Sequence, residues 1–125
     1  MQEFYFKSRN SRWTVVIALE VATWIQSLDR PAFDRIDDAI EALSEFGPTL
    51  GRPLVDRIHG SKFANMKELR TGNFRILFAF DPARNAVLLL AGDKRGEWNN
   101  WYRRSIPIAD QRFEDWLHER KDESS

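Results

Sequence analysis

The spacing of hydrophobic residues in the first half of the chain changes from a strand pattern to a helix pattern. RWTVVIALEV (12–21) is rich in β-branched and aromatic residues, which predicts a strand over about 12–19. Apolar residues then recur at 21, 24, 25 and 28, the spacing of one helix face. Pro31 interrupts this pattern, which restarts at Phe33 and ends at Gly47-Pro48. Two consecutive helices in an antiparallel hairpin are predicted.

The second half of the chain predicts three short strands after a long connection. The connection, 47–66, contains three Gly and two Pro with little periodicity, and loops of this length are often functional. KELR, NFRILFAF and AVLLLAG follow, separated by the turn signals TGN (71–73) and DPARN (81–85). Neighbouring strands are therefore expected to pair antiparallel. AVLLLA (86–91) is apolar on both faces, which indicates a central, fully covered strand.

A closing helix completes the predicted architecture. IPIADQRFEDWLHER (106–120) has helical periodicity, with Pro107 near its start. The predicted order is β-α-α-β-β-β-α: an α+β domain with a small, mostly antiparallel sheet, an N-terminal helical hairpin and a C-terminal helix. One domain is expected over 12–118, flanked by partly ordered segments at 1–11 and 119–125.

Composition narrows the class of protein. The 125 residues are 42% hydrophobic and 13% aromatic, as in a globular domain that buries its own core. The absence of cysteine excludes disulfides and thiolate sites. The first thirty residues lack the apolar core of a signal peptide, and no run reaches the roughly 20 apolar residues of a membrane span. A cytoplasmic location is expected.

The net charge is zero, but the charge is unevenly distributed. Residues 62–104 hold nine Lys and Arg against four Asp and Glu, a balance of +5, whereas 1–61 and 105–125 carry −2 and −3. A clustered positive charge can steer an anionic partner even when the sum is zero. The alternative is that the distribution arose by chance, with acids on helices and bases at strand ends.

Familiar catalytic motifs are missing. His59 and His118 lie far apart in the sequence, and neither a Gly-rich phosphate loop nor GxSxG occurs. Neither a metal site nor a cofactor is expected. The acids of the second helix are interpreted as a solvated face.

What remains is cationic and aromatic. Arg75 lies inside a predicted strand, so it must either face a wet cleft or form a salt bridge, with Glu68 as the candidate partner. The stretch GDKRGEWNNWYRR (92–104) places Trp98, Trp101 and Tyr102 at one-turn spacing. These rings could anchor the segment to the core or stack on splayed RNA bases. Both interpretations are open on the sequence alone.

Several of these segments together resemble a known family. MKELRTGNFRILFAFD, AVLLLAGDKRGEWNNWYRRSIPIADQRFEDW and the earlier FGPTLGRPLVDRIHGS are similar to the phage-derived Gp49-like, HigB-type branch of the RelE/ParE toxin superfamily. The resemblance covers about 12–118. It implies the toxin of a type II toxin–antitoxin pair, with a helix-turn-helix (HigA-like) antitoxin as partner.

The resemblance also implies a reaction and a set of site residues. Related toxins cut messenger RNA in the ribosomal A site without a metal: the 2′-OH attacks the adjacent phosphate, whose developing charge cations can neutralise. The residues that match catalytic positions are Arg75, Arg95, Lys67 and Arg70, and Tyr102 is a candidate proton carrier or stacking partner. Those expected to contact RNA are Lys94, Trp98, Trp101, Arg103 and Arg104. Glu68 and His59 are weaker acid–base candidates.

Two other functions remain open. The superfamily also contains inhibitors of DNA gyrase, for which the helical hairpin would be the working surface. The chain could also be a phage-derived module that binds a partner without catalysis. Three departures from the family bear on the choice: relatives are commonly basic, no histidine falls in the region where some relatives place a catalytic one, and WNNWYRRS has no clear counterpart in the shorter toxins.

Overall fold

The fold is built from a mixed sheet and helices, as expected of the α+β class. A computed structural model describes residues 4–7, 13–93, 95 and 98–124. In chain order the elements are β1 (Phe4–Lys7), β2 (Thr14–Ala18), α1 (Leu19–Gln26), α2 (Arg30–Phe46), a 3₁₀ turn (Gly47–Thr49), β3 (Val55–Arg57), β4 (Lys67–Thr71), β5 (Phe74–Phe80), β6 (Asn85–Asp93) and α3 (Trp98–Ser124). The predicted fold class is confirmed.

The strands form one sheet in the order β1-β2-β6-β5-β4-β3. β4, β5 and β6 pair antiparallel through short turns, which confirms the predicted meander. β2 pairs with β6 in parallel, with Val16 opposite Val87. A parallel pair needs a long crossover between its strands, and here the helical hairpin and the meander supply it.

Each face of the sheet buries a separate hydrophobic core. The helical hairpin covers one face, where Ile36, Ile40 and Leu43 pack against strand residues that include Leu88. α3 covers the other face, where Phe113 and Trp116 pack with strand residues that include Leu89. β6 contributes to both cores, which explains why AVLLLA is apolar on both faces.

The structure adds two strands and lengthens one helix relative to the prediction. β1 and β3 were not predicted, and β3 lies inside the connection that was expected to lack structure. α3 begins at Trp98 rather than near 106, so that Pro107 lies inside the helix. Buried residues at Trp101, Ser105 and Ala109 explain the earlier start, because this four-residue spacing continues the inner face of the helix towards its N-terminus. Within the described residues, no helix combines the length and apolar character needed to span a bilayer.

Candidate functional site

A buried carboxylate on β4 is the centre of a polar cluster between the sheet and α3. Glu68 is only 5% exposed, and its Oε2 accepts a 2.6 Å hydrogen bond from the hydroxyl of Tyr102. The guanidinium Nε of Arg70 lies 3.7 Å from Oε1, and that of Arg75 lies 4.0 Å from Oε2. We call these four residues the Glu68 cluster. A carboxylate can be buried here because cations and a hydroxyl surround it.

Strand register brings the cluster together. Glu68 and Arg70 are two residues apart on β4 and therefore point to the same face, which α3 covers. Arg70 lies directly opposite Arg75 on β5, so the two like charges share that face. Repulsion between directly opposed cations is unfavourable. The Glu68 carboxylate lies within ion-pair distance of both guanidinium groups and offsets that repulsion.

A glycine allows α3 to approach the cluster closely. Arg75 is opposite Gly92 on β6, and the ring of Trp101 lies directly on that glycine. A Cβ at position 92 would lie 2.6 Å from Nε1 of Trp101, closer than real contacts allow. Because Gly92 has no side chain, the first turn of α3 packs directly against the sheet. In this position the hydroxyl of Tyr102 reaches Glu68.

Arg75 is held inside the protein. Its side chain is 4% exposed, and Nη1 donates hydrogen bonds to the carbonyls of Gly72 (2.6 Å) and Phe74 (2.8 Å). Of the two interpretations that the sequence left open, the structure has the ion pair with Glu68. Arg75 therefore does not face a wet cleft, and it is held between backbone carbonyls and the carboxylate of Glu68.

The phenol of Tyr102 is a weaker acid than an ordinary tyrosine side chain, because its pKa is raised. Burial, followed by the hydrogen bond to Glu68 and the charge of that carboxylate, raises the pKa of Tyr102 to about 12, although the neighbouring Arg75 acts in the opposite direction. The hydroxyl is therefore protonated near neutral pH. It can donate to Glu68 or to a substrate oxygen.

The Glu68 cluster borders a cavity of about 300 Å³ near the N-terminal end of α3. Its lining residues are Arg57, Ile58, His59, Glu68, Tyr102 and Ile106. The two weaker acid–base candidates from the sequence, Glu68 and His59, thus meet Tyr102 at one place. Arg57 and Ile106 were missed by the sequence analysis. A recognised β3 would have indicated Arg57, because a cation on an edge strand directly opposite Lys67 is well placed for an anion.

The loop that carries His59 is fastened to α3. Asp110, which is buried, accepts hydrogen bonds from the hydroxyl of Ser61 (2.5 Å) and the backbone N–H of Lys62 (3.0 Å). The ammonium of Lys62 reaches Glu114 at 2.5 Å. This contact raises the pKa of Lys62 and lowers that of Glu114. The loop that contributes His59 to the cavity is therefore held against α3 by the buried contacts of Asp110 and the exposed ion pair of Lys62 with Glu114.

Lys67 and Arg95 lie apart from the Glu68 cluster. Lys67 precedes Glu68 on β4 and therefore points to the opposite face of the sheet, where its ammonium lies 5.5 Å from the ring centre of Phe80. The exposed Arg95 forms a 3.0 Å ion pair with Asp93, two residues earlier. Neither cation lines the cavity beside Tyr102.

The predicted RNA-contact residues have different environments. Trp101 is buried in the α3-side core, so its ring anchors the helix, as the first of the two interpretations held. Arg103 and Arg104 are exposed on the first turns of α3. Lys94 and the side chain of Trp98 lie outside the described residues.

Comparison with known proteins identifies the family. A family model described as "Phage derived protein Gp49-like" matches residues 23–114. The chain belongs to this family. The match includes all four residues of the Glu68 cluster and the loop that carries His59, and it confirms the resemblance read from the sequence.

Two relatives in Mycobacterium tuberculosis (strain ATCC 25618 / H37Rv) are similar to this member of the Gp49-like family. The protein named "Putative toxin HigB3" is 54% identical over 105 residues, which are 82% of this chain and 92% of the relative. The protein named "Putative toxin HigB2" is 46% identical over 115 residues, or 88% of this chain. That alignment covers 57% of the second relative, so this chain spans little more than half of its length.

Proposed function

We propose that this protein is the toxin of a type II toxin–antitoxin pair and cleaves messenger RNA on the ribosome. The observation that carries the proposal is the hydrogen bond from Tyr102 to Glu68 at a cavity that also receives Arg57 and His59. The names of the two relatives support the toxin class. A partner antitoxin of the helix-turn-helix type belongs to the same proposal.

The reaction is an internal transfer at phosphorus. The 2′ oxygen forms a bond to the adjacent phosphorus as the bond from phosphorus to the 5′ oxygen breaks, which leaves a 2′,3′-cyclic phosphate and a 5′-hydroxyl. The 2′-OH must lose a proton and the leaving oxygen must gain one. Negative charge builds on the phosphoryl oxygens in the transition state and needs positive charge nearby.

The residues at and beside the cavity can meet these requirements. Tyr102 takes the proton of the 2′-OH while it passes its own proton to Glu68, so that a free phenolate, which a pKa of about 12 disfavours, never has to form. His59 also lines the cavity and donates a proton to the 5′ oxygen. Arg57 supplies positive charge at the cavity, and Arg70, which is 33% exposed and lies next to Glu68, adds to it.

The cations outside the cavity take supporting roles. Arg75 positions Glu68, because it is buried against that carboxylate. Arg95, Arg103 and Arg104 are exposed beside the N-terminal end of α3, where they can contact phosphates of a long RNA. Such contacts hold the strand in place without reading its sequence.

Induced expression of the protein without its antitoxin tests the proposal. Primer extension on an abundant messenger RNA should show new 5′ ends within translated frames, and Tyr102→Phe should greatly reduce them. Growth arrest with intact message would contradict the nuclease function and indicate a protein target such as gyrase. A chain that neither arrests growth nor cuts RNA would be a binding module.

A further inference from the structure

A second cavity, of about 250 Å³, lies on the face of the sheet opposite the Glu68 cluster. Its lining residues are Pro48, Thr49, Leu50, Gly51, Arg52, Val55, Asp56, Arg57 and Lys67. Three of these side chains, from Arg52, Arg57 and Lys67, are cationic, and Asp56 alone is acidic. The cavity therefore has an excess of positive charge.

Strand register places two of these cations side by side. Arg57 on β3 lies directly opposite Lys67 on β4, and like charges in that position destabilise an antiparallel pair. Across 4–7, 13–93, 95 and 98–124, neither side chain has a carboxylate within 4.0 Å, unlike Arg70 and Arg75 on the other face. The pair therefore has positive charge that an anionic ligand can satisfy.

Asp56 does not neutralise the pair. Its carboxylate accepts a hydrogen bond from the backbone N–H of Arg57 (2.8 Å) and lies 3.3 Å from Nε of Arg52 and 3.4 Å from Nη1 of Arg70. The backbone hydrogen bond is the main reason that the pKa of Asp56 is lowered, and the two guanidinium groups add to it. Asp56 thereby holds Arg52 at the rim of the cavity.

Arg57 connects this cavity with the one beside Tyr102, because it lines both. β3, which carries Arg57, is the last strand of the sheet order and is only three residues long. A strand of RNA can therefore cross this edge without meeting another strand of the sheet. A short edge also leaves little backbone for another chain to pair with.

We propose that Arg52, Arg57 and Lys67 form a second phosphate subsite, which binds the backbone of single-stranded RNA one or more nucleotides away from the bond that is cut. The identity of the ligand as RNA rests on the proposed function. In this arrangement the strand crosses the β3 edge, with the scissile phosphate at Tyr102 and a neighbouring phosphate at Lys67. Lys67 is then a binding residue rather than a catalytic one.

Binding of a short, fluorescently labelled single-stranded RNA over a range of salt concentrations tests this subsite. The double variant Arg57→Ala/Lys67→Ala should bind at least tenfold more weakly at low salt. The slope of log affinity against log salt should be shallower by about 1.4, since each lost phosphate contact accounts for about 0.7 with single strands. The charge-preserving variant Arg57→Lys/Lys67→Arg should retain most of the affinity.

Arg30→Ala/Arg35→Ala is the matched control. It also removes two positive charges, but from exposed positions at the start of α2. From Arg35 to the end of the helix next to the cavity is about 17 Å, at about 1.5 Å per residue. The subsite is refuted if the two double variants bind RNA equally well, if wild-type protein does not bind RNA, or if a mononucleotide binds as tightly as the strand.

The same proteins separate this inference from the proposed function. Wild-type protein that binds RNA through Arg57 and Lys67 but cuts no message on translating ribosomes would support the subsite and refute the nuclease. Cleavage by wild-type protein together with unchanged RNA binding by Arg57→Ala/Lys67→Ala would refute the subsite and leave the nuclease intact.

Discussion

The hydroxyl of Tyr102 on α3 donates a 2.6 Å hydrogen bond to the carboxylate of Glu68 on β4. This contact joins the closing helix to the sheet and places a proton donor and a proton acceptor at the mouth of one cavity. Two neighbouring contacts maintain the position of this hydrogen bond. Arg75 on β5 lies within ion-pair distance of the Glu68 carboxylate, and the ring of Trp101 packs α3 directly against Gly92.

Removal of the Tyr102 hydroxyl should separate activity from stability. Tyr102→Phe keeps the ring that packs beside Trp101 but removes the hydroxyl that we propose relays the proton, so cleavage should fall by about 10²–10⁴-fold, the usual contribution of general acid–base catalysis. The free energy of unfolding should fall by only about 1 kcal/mol, the typical net contribution of one hydrogen bond. Cleavage assays on ribosomes and urea denaturation measure the two effects. Equal cleavage rates for the two proteins would exclude Tyr102 from the reaction.

The same variant gives a prediction about pH. The pKa of Tyr102 is raised from 10.0 to about 12, so the folded state holds this proton more tightly than the unfolded chain. The resulting stability is fully present below pH 10 and is lost as the pH rises towards 12. In an alkaline absorbance titration, Tyr102→Phe should lack a phenol transition near pH 12 that the wild type shows. Loss of a transition near pH 10 instead would contradict the assigned environment.

Arg75→Ala should act through stability rather than directly on the chemistry. Removal of one partner from a buried ion pair costs about 3–5 kcal/mol when the remaining charge is uncompensated. Arg70 and Tyr102 still contact Glu68 in this variant, so the free energy of unfolding should fall by less than that range. The double variant Glu68→Gln/Arg75→Met removes both charges and should regain part of that stability, but it should not regain cleavage. Thermal unfolding checks the first statement and primer extension the second. An Arg75→Ala protein of normal stability would show that the ion pair is not needed for folding.

Gly92→Ala should disturb the site by changing how α3 packs on the sheet. The added methyl group would collide with Nε1 of Trp101, and overpacking of this kind costs about 1–3 kcal/mol. The shift of α3 should also move Tyr102 from Glu68 and reduce cleavage. Gly51→Ala is the matched control, because a Cβ there meets nothing within 4 Å. Equal effects of the two substitutions on melting temperature would contradict this packing.

Local patterns in the sequence were sufficient to predict the helical hairpin, the β4-β5-β6 meander and the central position of β6. Each depends on periodicity or turn chemistry within a short window. β1 and β3 were missed because three- and four-residue edge strands carry little pattern of their own. They are strands because they pair with residues elsewhere in the chain: β1 with β2, and β3 with β4.

The residues of the Glu68 cluster could be singled out from the sequence, but their arrangement could not. The sequence indicated Glu68, Arg70, Arg75 and Tyr102 as residues of interest, yet it could not decide whether Arg75 faces a cleft or an ion pair. That choice depends on strand register and on how closely α3 approaches the sheet. The position of Lys67 was equally hard to predict from the sequence. Lys67 and Glu68 are adjacent on β4, but successive residues of a strand point to opposite faces of the sheet.

The decisive experiment is cleavage of a defined messenger RNA by purified protein on translating ribosomes, with the wild type compared with Glu68→Gln at a temperature where thermal unfolding shows both to be folded. We expect the wild type to produce fragments that end in a 2′,3′-cyclic phosphate and begin with a 5′-hydroxyl, and Glu68→Gln to produce almost none. Intact message with the wild-type protein, or equal cleavage by both proteins, would contradict this expectation.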